Sequence, residues 1–220
     1  MKKTIIFFAV FFMSLFCANV FAQESGESKL NEILSKMEEV DKKVNTLEVN
    51  YTQEIVYSAT NEKQHISGNL KHKKPNSIYI VQKTPQEQRI YIDGKKITIY
   101  TPENSQAVID NWKNVINGDM APASLVSFGS NWKTIKKDNI IKYAGEDEKN
   151  YILELSPAAK KDWTMQMYVS KDTYYPQKAV VTAAGVTVNV DLINYKINQE
   201  FKKDIFKFEA PSGVEVIKLN

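Results

Sequence analysis

The sequence predicts a mainly β protein: an open, curved antiparallel β-barrel of about eleven strands, covered by an N-terminal amphipathic helix and a short helical lid. Three observations predict it. From Val49 onward, apolar residues alternate with period two through one segment after another, with turn residues between the segments. One stretch of helical periodicity precedes them. One apolar insertion, residues 111–137, interrupts them. So many strands in succession must curl or close to manage their edges. The two helical segments are left to cover what the sheet leaves open.

The first residues follow a different logic. Met1-Lys2-Lys3 is a basic start, Ile5 to Phe16 is almost wholly apolar, and Val20-Phe21-Ala22 places modest residues before Gln23. This reads as a secretory signal peptide over residues 1–22, cleaved after Ala22, with residues 23–220 forming one exported domain. The apolar run is shorter than the ~20 residues a membrane span requires, and an uncleaved anchor is the alternative. Cys17 is the one cysteine. A lipidated cysteine would follow a small residue, whereas Phe16 precedes this one. Once Cys17 leaves, no disulfide, thiolate nucleophile or Cys-ligated metal is available. Lys2 and Lys3 also leave and no acid does, so the net charge falls by two from +3.

The helix is expected from Ser28 to about Leu47. Leu30, Ile33, Leu34, Met37, Val40, Val44 and Leu47 recur on one stripe, with Glu and Lys opposite. Strands follow from Val49 to Tyr57, and then from Gly68 to Ile80 around a Lys73-Lys74-Pro75-Asn76 corner. Pro75 has a fixed φ and no N–H, so it ends the first arm, and Asn76 favours a turn. Beyond the corner, Ile78 and Ile80 share one face, with Ser77, Tyr79 and Val81 on the other. Asp93-Gly94 lies between alternating arms and predicts a hairpin with a type I′ turn. Gln106 to Asp110 completes about six strands. The insertion holds a short helix from about Ala123 to Phe128, suited either to core filling or to a lid. Strands resume at Ile140–Tyr143, Tyr151–Leu155, Thr164–Ser170, Lys178–Ala183 and Val186–Ile197. In the last, the apolar register jumps from Leu192 to Ile193, which predicts a β-bulge there.

The sequence lacks the machinery of catalysis. His65 and His72 are seven apart on one strand, so they point to opposite faces and cannot form a ligand pair. Both read as strand-surface residues. No Gly-x-Ser-x-Gly, phosphate loop or His-Glu-x-x-His occurs. The lysine pairs are scattered and the net charge is near zero, which argues against nucleic acid. No enzyme activity, cofactor or metal is expected. The apolar faces remain. Candidate cavity walls are Ile78, Ile80, Ile90, Ile92, Ile97, Ile99, Met165 and Met167, with Leu125, Val126 and Phe128 from the insertion.

Four pieces in order carry a family likeness: Leu47-Glu-Val-Asn-Tyr51-Thr-Gln53 behind the helix; Gly68-x-Leu70 leading to Lys73-Lys74-Pro75-Asn76; Asp93-Gly94-Lys95 with Tyr100-x-Pro102 and Gln106; and Phe206-x-Phe208-x-x-Pro211-x-Gly213-Val214-x-Val216. The chain resembles the periplasmic outer-membrane lipoprotein carriers, the LolA family. The resemblance implies an open β-barrel with a helical lid. It also implies a periplasmic chaperone that binds the acyl chains of lipoproteins and carries them from the inner to the outer membrane. Triacylated lipoproteins would be the cargo, taken from an inner-membrane ABC transporter and passed to an outer-membrane receptor by a monomer. In the proteobacterial carriers, the residue before the corner proline is an arginine that helps latch the lid. Here it is Lys74, so Lys74 and Pro75 mark the expected lid latch, made with a point charge rather than a planar fork. A carrier of another lipid, or a lipid- or envelope-stress-sensing interaction module, is the alternative on the same fold.

Overall fold

The structure, a computed structural model, describes residues 17–112, 132–159, 162–202 and 204–219. Period-two alternation becomes twelve strands of one sheet: β1 (Thr46–Tyr57), β2 (Lys63–Lys73), β3 (Ser77–Thr84), β4 (Gln88–Ile92), β5 (Lys96–Thr101), β6 (Gln106–Asn111), β7 (Asn139–Glu146), β8 (Asn150–Pro157), β9 (Trp163–Ser170), β10 (Pro176–Ala183), β11 (Val186–Ile197) and β12 (Glu215–Lys218). Among the described residues the α-helices are α1 (Cys17–Lys42) and α2 (Trp132–Asp138), with a 3-10 turn at Pro102–Asn104.

The strand order is β12-β6-β5-β4-β3-β2-β1-β11-β10-β9-β8-β7. Two antiparallel meanders therefore stand side by side, joined where β1 pairs with β11. The ends of the sheet are β12 and β7, which do not pair with each other, so the curved sheet is open. Residues 112–138 connect β6 near one end to β7 at the other. The twelfth strand is one more than expected. It comes from the tail, where Glu215–Lys218 adds to β6 in parallel.

Register places the buried isoleucines, methionines and most of the buried aliphatic side chains on one face, here called the inner face. Leu47 pairs with His72, His72 with Ile78, Ile78 with Ile92 and Ile92 with Ile97. On the other side of the β1–β11 seam, Val190 pairs with Ala179, Ala179 with Met167 and Met167 with Leu153. Helix α1 packs Ile33, Leu34 and Met37 onto this second half. Each such side chain contributes about 1.5–3 kcal/mol on burial. Helix α2 adds Ile135 to the same cluster, and Lys136 forms an ion pair with Glu38 of α1.

Several local expectations need correction. Helix α1 ends at Lys42, and Leu47 already lies in β1. Beyond the one helix expected in the insertion, Trp132–Asp138 also forms a helix, α2. The Asp93-Gly94 turn is not type I′, because Gly94 has φ +86° while Asp93 does not reach positive φ. Instead the Asp93 carboxylate accepts the Lys95 and Lys96 backbone N–H groups, each at 2.8 Å, and so closes a longer loop. The β11 bulge falls beside the expected Leu192–Ile193 step, at Asn194, φ +58°, one residue beyond Ile193. Ile193 consequently stays on the outer face and is 49% exposed, while Tyr195 turns inward. The expected helix at Ala123–Phe128 lies outside the described residues.

The outer face carries its own aromatic ladder. Tyr79 and Tyr91 lie 4.9 Å apart between ring centroids, and Phe208 packs on Tyr91 and Tyr100 at 5.5 and 5.6 Å. Thus the tail motif Phe206-x-Phe208 fastens the chain's end across β4 and β5. Gly68 has an equally local reason. A Cβ there would stand 2.5 Å from both the Tyr51 hydroxyl and the Val81 carbonyl oxygen. Gly68→Ala is expected to cost about 1–3 kcal/mol of stability in urea denaturation, because a backbone carbonyl cannot yield as a side chain can. The contact with Val81 predicts that shortening Tyr51 will not restore it.

Candidate functional site

The inner face divides into two buried clusters. Ile78, Ile80, Ile92 and Ile97 form the first, with Ile90, Ile99, Tyr51, Leu70 and Trp112 packed against them. All six isoleucine wall candidates therefore come together. Met165 and Met167 do not join them. They lie in the second cluster beneath Ile33, Leu34 and Met37, where Met167 has no exposure. The remaining wall candidates, Leu125, Val126 and Phe128, lie outside the described residues. Burial pushes the Tyr51 hydroxyl up to about 12, so it stays neutral at the rim of the first cluster.

The β2–β3 corner meets the end of α1. Lys74 follows Leu70 and His72 at even spacing, so it points inward. Its Nζ donates to the Asp41 carbonyl at 2.5 Å and lies 3.0 Å from the Asp41 carboxylate. Both acceptors belong to the last turn of α1. A cation there meets the negative end of the helix as well as the carboxylate. Pro75 makes the corner beyond it, with a cis peptide bond. From the other side, Asn198 follows β11. Its Nδ2 donates to the Lys43 carbonyl at 2.8 Å, and its Oδ1 accepts the Asn45 N–H at 2.7 Å. The end of α1 is therefore held by both meanders.

His72 lies beside this joint and is not the surface residue expected. It is 3% exposed, whereas His65 on the opposite face is exposed and near Glu54. Burial holds its pKa below the ordinary value, with the nearby Lys74 ammonium acting in the same direction and Asp41 and a backbone hydrogen bond at Pro75 opposing. Its even spacing from Leu70 was the available signal. Tyr175 and Tyr195, stacked at 5.2 Å with the Tyr195 hydroxyl donating to the Pro176 carbonyl, were also missed. The bulge at Asn194 turns Tyr195 inward, and local sequence does not fix its position.

The arrangement is an apolar wall on a sheet with two unjoined ends, and among the described residues no group of three or more His, Cys, Asp or Glu could hold a metal ion. The family model described as "Outer membrane lipoprotein carrier protein LolA" matches residues 42–209. The chain belongs to the LolA family. An outer-membrane lipoprotein carrier protein of Pasteurella multocida is 30% identical to this LolA-family chain, covering 93% of it and 92% of the relative. One from Pseudomonas putida is 26% identical over 94% of each. Among solved structures, an uncharacterized conserved protein from Thermus thermophilus aligns with TM-score 0.59 at 14% identity, over 87% of this chain and 99% of that one. A LolA superfamily protein from Nitrosomonas europaea aligns with TM-score 0.50 at 14% identity, over 81% and 97%. Both share the fold.

Two measurements check the joint. Lys74→Met leaves the Asp41 carboxylate and the helix-end carbonyl without their cation. It is expected to lower stability by about 1–3 kcal/mol in thermal denaturation. Asp41→Asn, which keeps the carbonyl acceptor, is expected to cost less. His72 has a folded pKa below its unfolded value of 6.5, so the unfolded chain takes up the proton first. Stability is therefore expected to fall as pH drops below about 6.5. In melts from pH 7 to pH 5, His72→Val should flatten that dependence.

Proposed function

We propose that this LolA-family chain is a periplasmic chaperone that binds the acyl chains of lipoproteins and carries them from the inner to the outer membrane. The observation that supports the reading most is the apolar inner face of an open sheet, with an isoleucine cluster separate from the one under α1, in a chain whose family is that of the outer-membrane lipoprotein carriers. Signal cleavage after Ala22 would deliver it to the periplasm. No helix among the described residues is long and apolar enough to cross a membrane.

Physical chemistry makes a carrier of this kind necessary. Exposing an acyl chain to water costs about 0.8 kcal/mol per CH₂. A cargo with two or three long chains therefore needs a partner that replaces membrane with protein surface along the whole route. The first cluster supplies branched apolar side chains from β3, β4 and β5, and a neutral tyrosine at its rim. Lys74 and Pro75 form the latch, here by tying the corner to the end of α1. Cargo would arrive from an inner-membrane ABC transporter and leave to an outer-membrane receptor, with the carrier acting as a monomer. Release requires a wall that holds acyl chains less well than the acceptor does, which suits shallow contact better than a sealed pocket.

Mass spectrometry of the protein purified from its own envelope tests the reading. Co-purified acylated lipoprotein is the expected result. Phospholipid or glycolipid alone would assign it to another lipid cargo. A stoichiometric envelope protein without lipid would make it an interaction module. Lys74→Leu is expected to change the rate of lipoprotein uptake or release several-fold while the circular dichroism spectrum is kept. Unchanged rates would place the latch elsewhere.

A further inference from the structure

We infer that the outer face holds a second binding site, a cleft between the tail and strands β4–β6 that takes a single-chain amphiphile with an anionic head. The site lies apart from the inner face and goes beyond the carrier reading. The cleft has a volume of about 720 Å³, ordinary for a small-molecule site. Its floor follows from register. Tyr91 pairs with Thr98, Thr98 with Ile109 and Ile109 with Lys218, so these residues form one row across β4, β5, β6 and β12. Thr98 directly follows Ile97 of the isoleucine cluster, which places the row on the opposite face of the sheet.

The walls are held in place on both sides. Phe208 is fixed on Tyr91 and Tyr100, with Phe206 lining the cleft beside it. Across from them, the Leu219 N–H donates to the Ile109 carbonyl at 2.8 Å and continues the pairing of β12 with β6. The floor at Thr98 is 8% exposed, whereas Leu219 at the open end is 53% exposed. Ile109, Phe206 and Leu219 thus make a narrow apolar track from floor to solvent, one row of side chains wide. The charge at its rim selects the head. Lys95, Lys96, Lys207 and Lys218 line the cleft, and none of them forms an ion pair among the described residues. Asp93, Asp110 and Glu209 line it too, so four lysines against three carboxylates leave one net positive charge. Asp93 Oδ1 already accepts the Lys95 and Lys96 N–H groups, and Asp110 Oδ1 accepts the Asn111 N–H at 2.6 Å. A cationic head would meet four like charges, and a neutral one would leave the lysines unanswered. A carboxylate or phosphate answers them with charge-assisted hydrogen bonds. Its single alkyl chain then covers Ile109 and Leu219 and removes apolar surface from water.

Three ten-carbon probes test this: decanoate, decyl phosphate and decanol. Each is titrated into protein carrying ¹³C-labelled isoleucine and leucine methyl groups. The methyl resonances of Ile109 and Leu219 report the outer cleft, and those of Ile80 and Ile97 report the inner face. At least one of the two anions is expected to shift Ile109 and Leu219 saturably, with an affinity about fivefold above that of decanol at the same resonances. Tighter binding of decanoate assigns a carboxylate head, and tighter binding of decyl phosphate a phosphate head. The double substitution Lys207→Gln and Lys218→Gln changes two exposed side chains and keeps the apolar track. It is expected to weaken the preferred anion about fivefold and to leave decanol unchanged. Ile109 and Leu219 unmoved by both anions, decanol binding there as tightly as the anions, or an anion affinity unchanged in the double variant would each overturn the inference. Shifts at Ile80 and Ile97 are read separately, so the carrier reading stands or falls independently of the outer cleft.

Discussion

The pairing of β1 with β11 is the contact on which the rest of the structure depends. Each meander alone would be an ordinary antiparallel sheet with two edges. Joined through these strands, they present a single inner face that runs from β6 to β7. The seam also dictates the position of everything else. It brings Asn198, at the end of β11, to the start of β1, and so beside the end of α1. It separates the β6 and β7 ends, leaving the sheet open. The bulge at Asn194 falls within this seam, where an extra residue sharpens the local twist. Curvature and opening thus share one origin.

Helix α1 is attached to this seam unequally. Its middle is apolar and rests on the β8–β11 half, through Ile33, Leu34 and Met37. Its end is polar and is held by a lysine from one meander and an asparagine from the other. Apolar packing of the first kind is non-directional and tolerates sliding. The second kind has fixed geometry, since Lys74 reaches both a backbone carbonyl and a carboxylate of Asp41. The corner that carries Lys74 also carries the isoleucines of β3. The helix-end contact of Lys74 and the isoleucine strand are therefore separated by only a few residues of chain.

The division of the inner face into two clusters also bears on function. The methionines, adaptable by nature, are committed to holding α1. The isoleucines form the other wall, on the half of the sheet nearer β6. The packed half holds α1 without drawing on the isoleucines, which under the proposed carrier function would be the half that meets cargo. His72, on the inner face beside Lys74 and Asp41, has a buried Nε2 without a hydrogen-bond partner, which is a local cost.

The sequence by itself determined the class of fold, most of the strands and which residues share a face. Those follow from period-two alternation and from turn residues, which act over a few positions. Leu70, His72 and Lys74 share a face by spacing alone, and so do Ile78 and Ile80, or Met165 and Met167. The family followed from four ordered pieces, each of which now has a local reason: Gly68 makes room for Tyr51, and Phe208 covers Tyr91 and Tyr100. Only the tertiary structure decided which distant strands adjoin. The β1–β11 seam lies more than a hundred residues apart in the chain, and no local pattern encodes it. It also decided that the methionines pack under α1 while the isoleucines form a cluster of their own. It buried His72, and it gave Lys74 its partner in Asp41, thirty-three residues away. The physical reason is the same throughout. Side-chain direction is a property of a short segment, whereas burial and pairing are properties of what the rest of the chain brings to that segment.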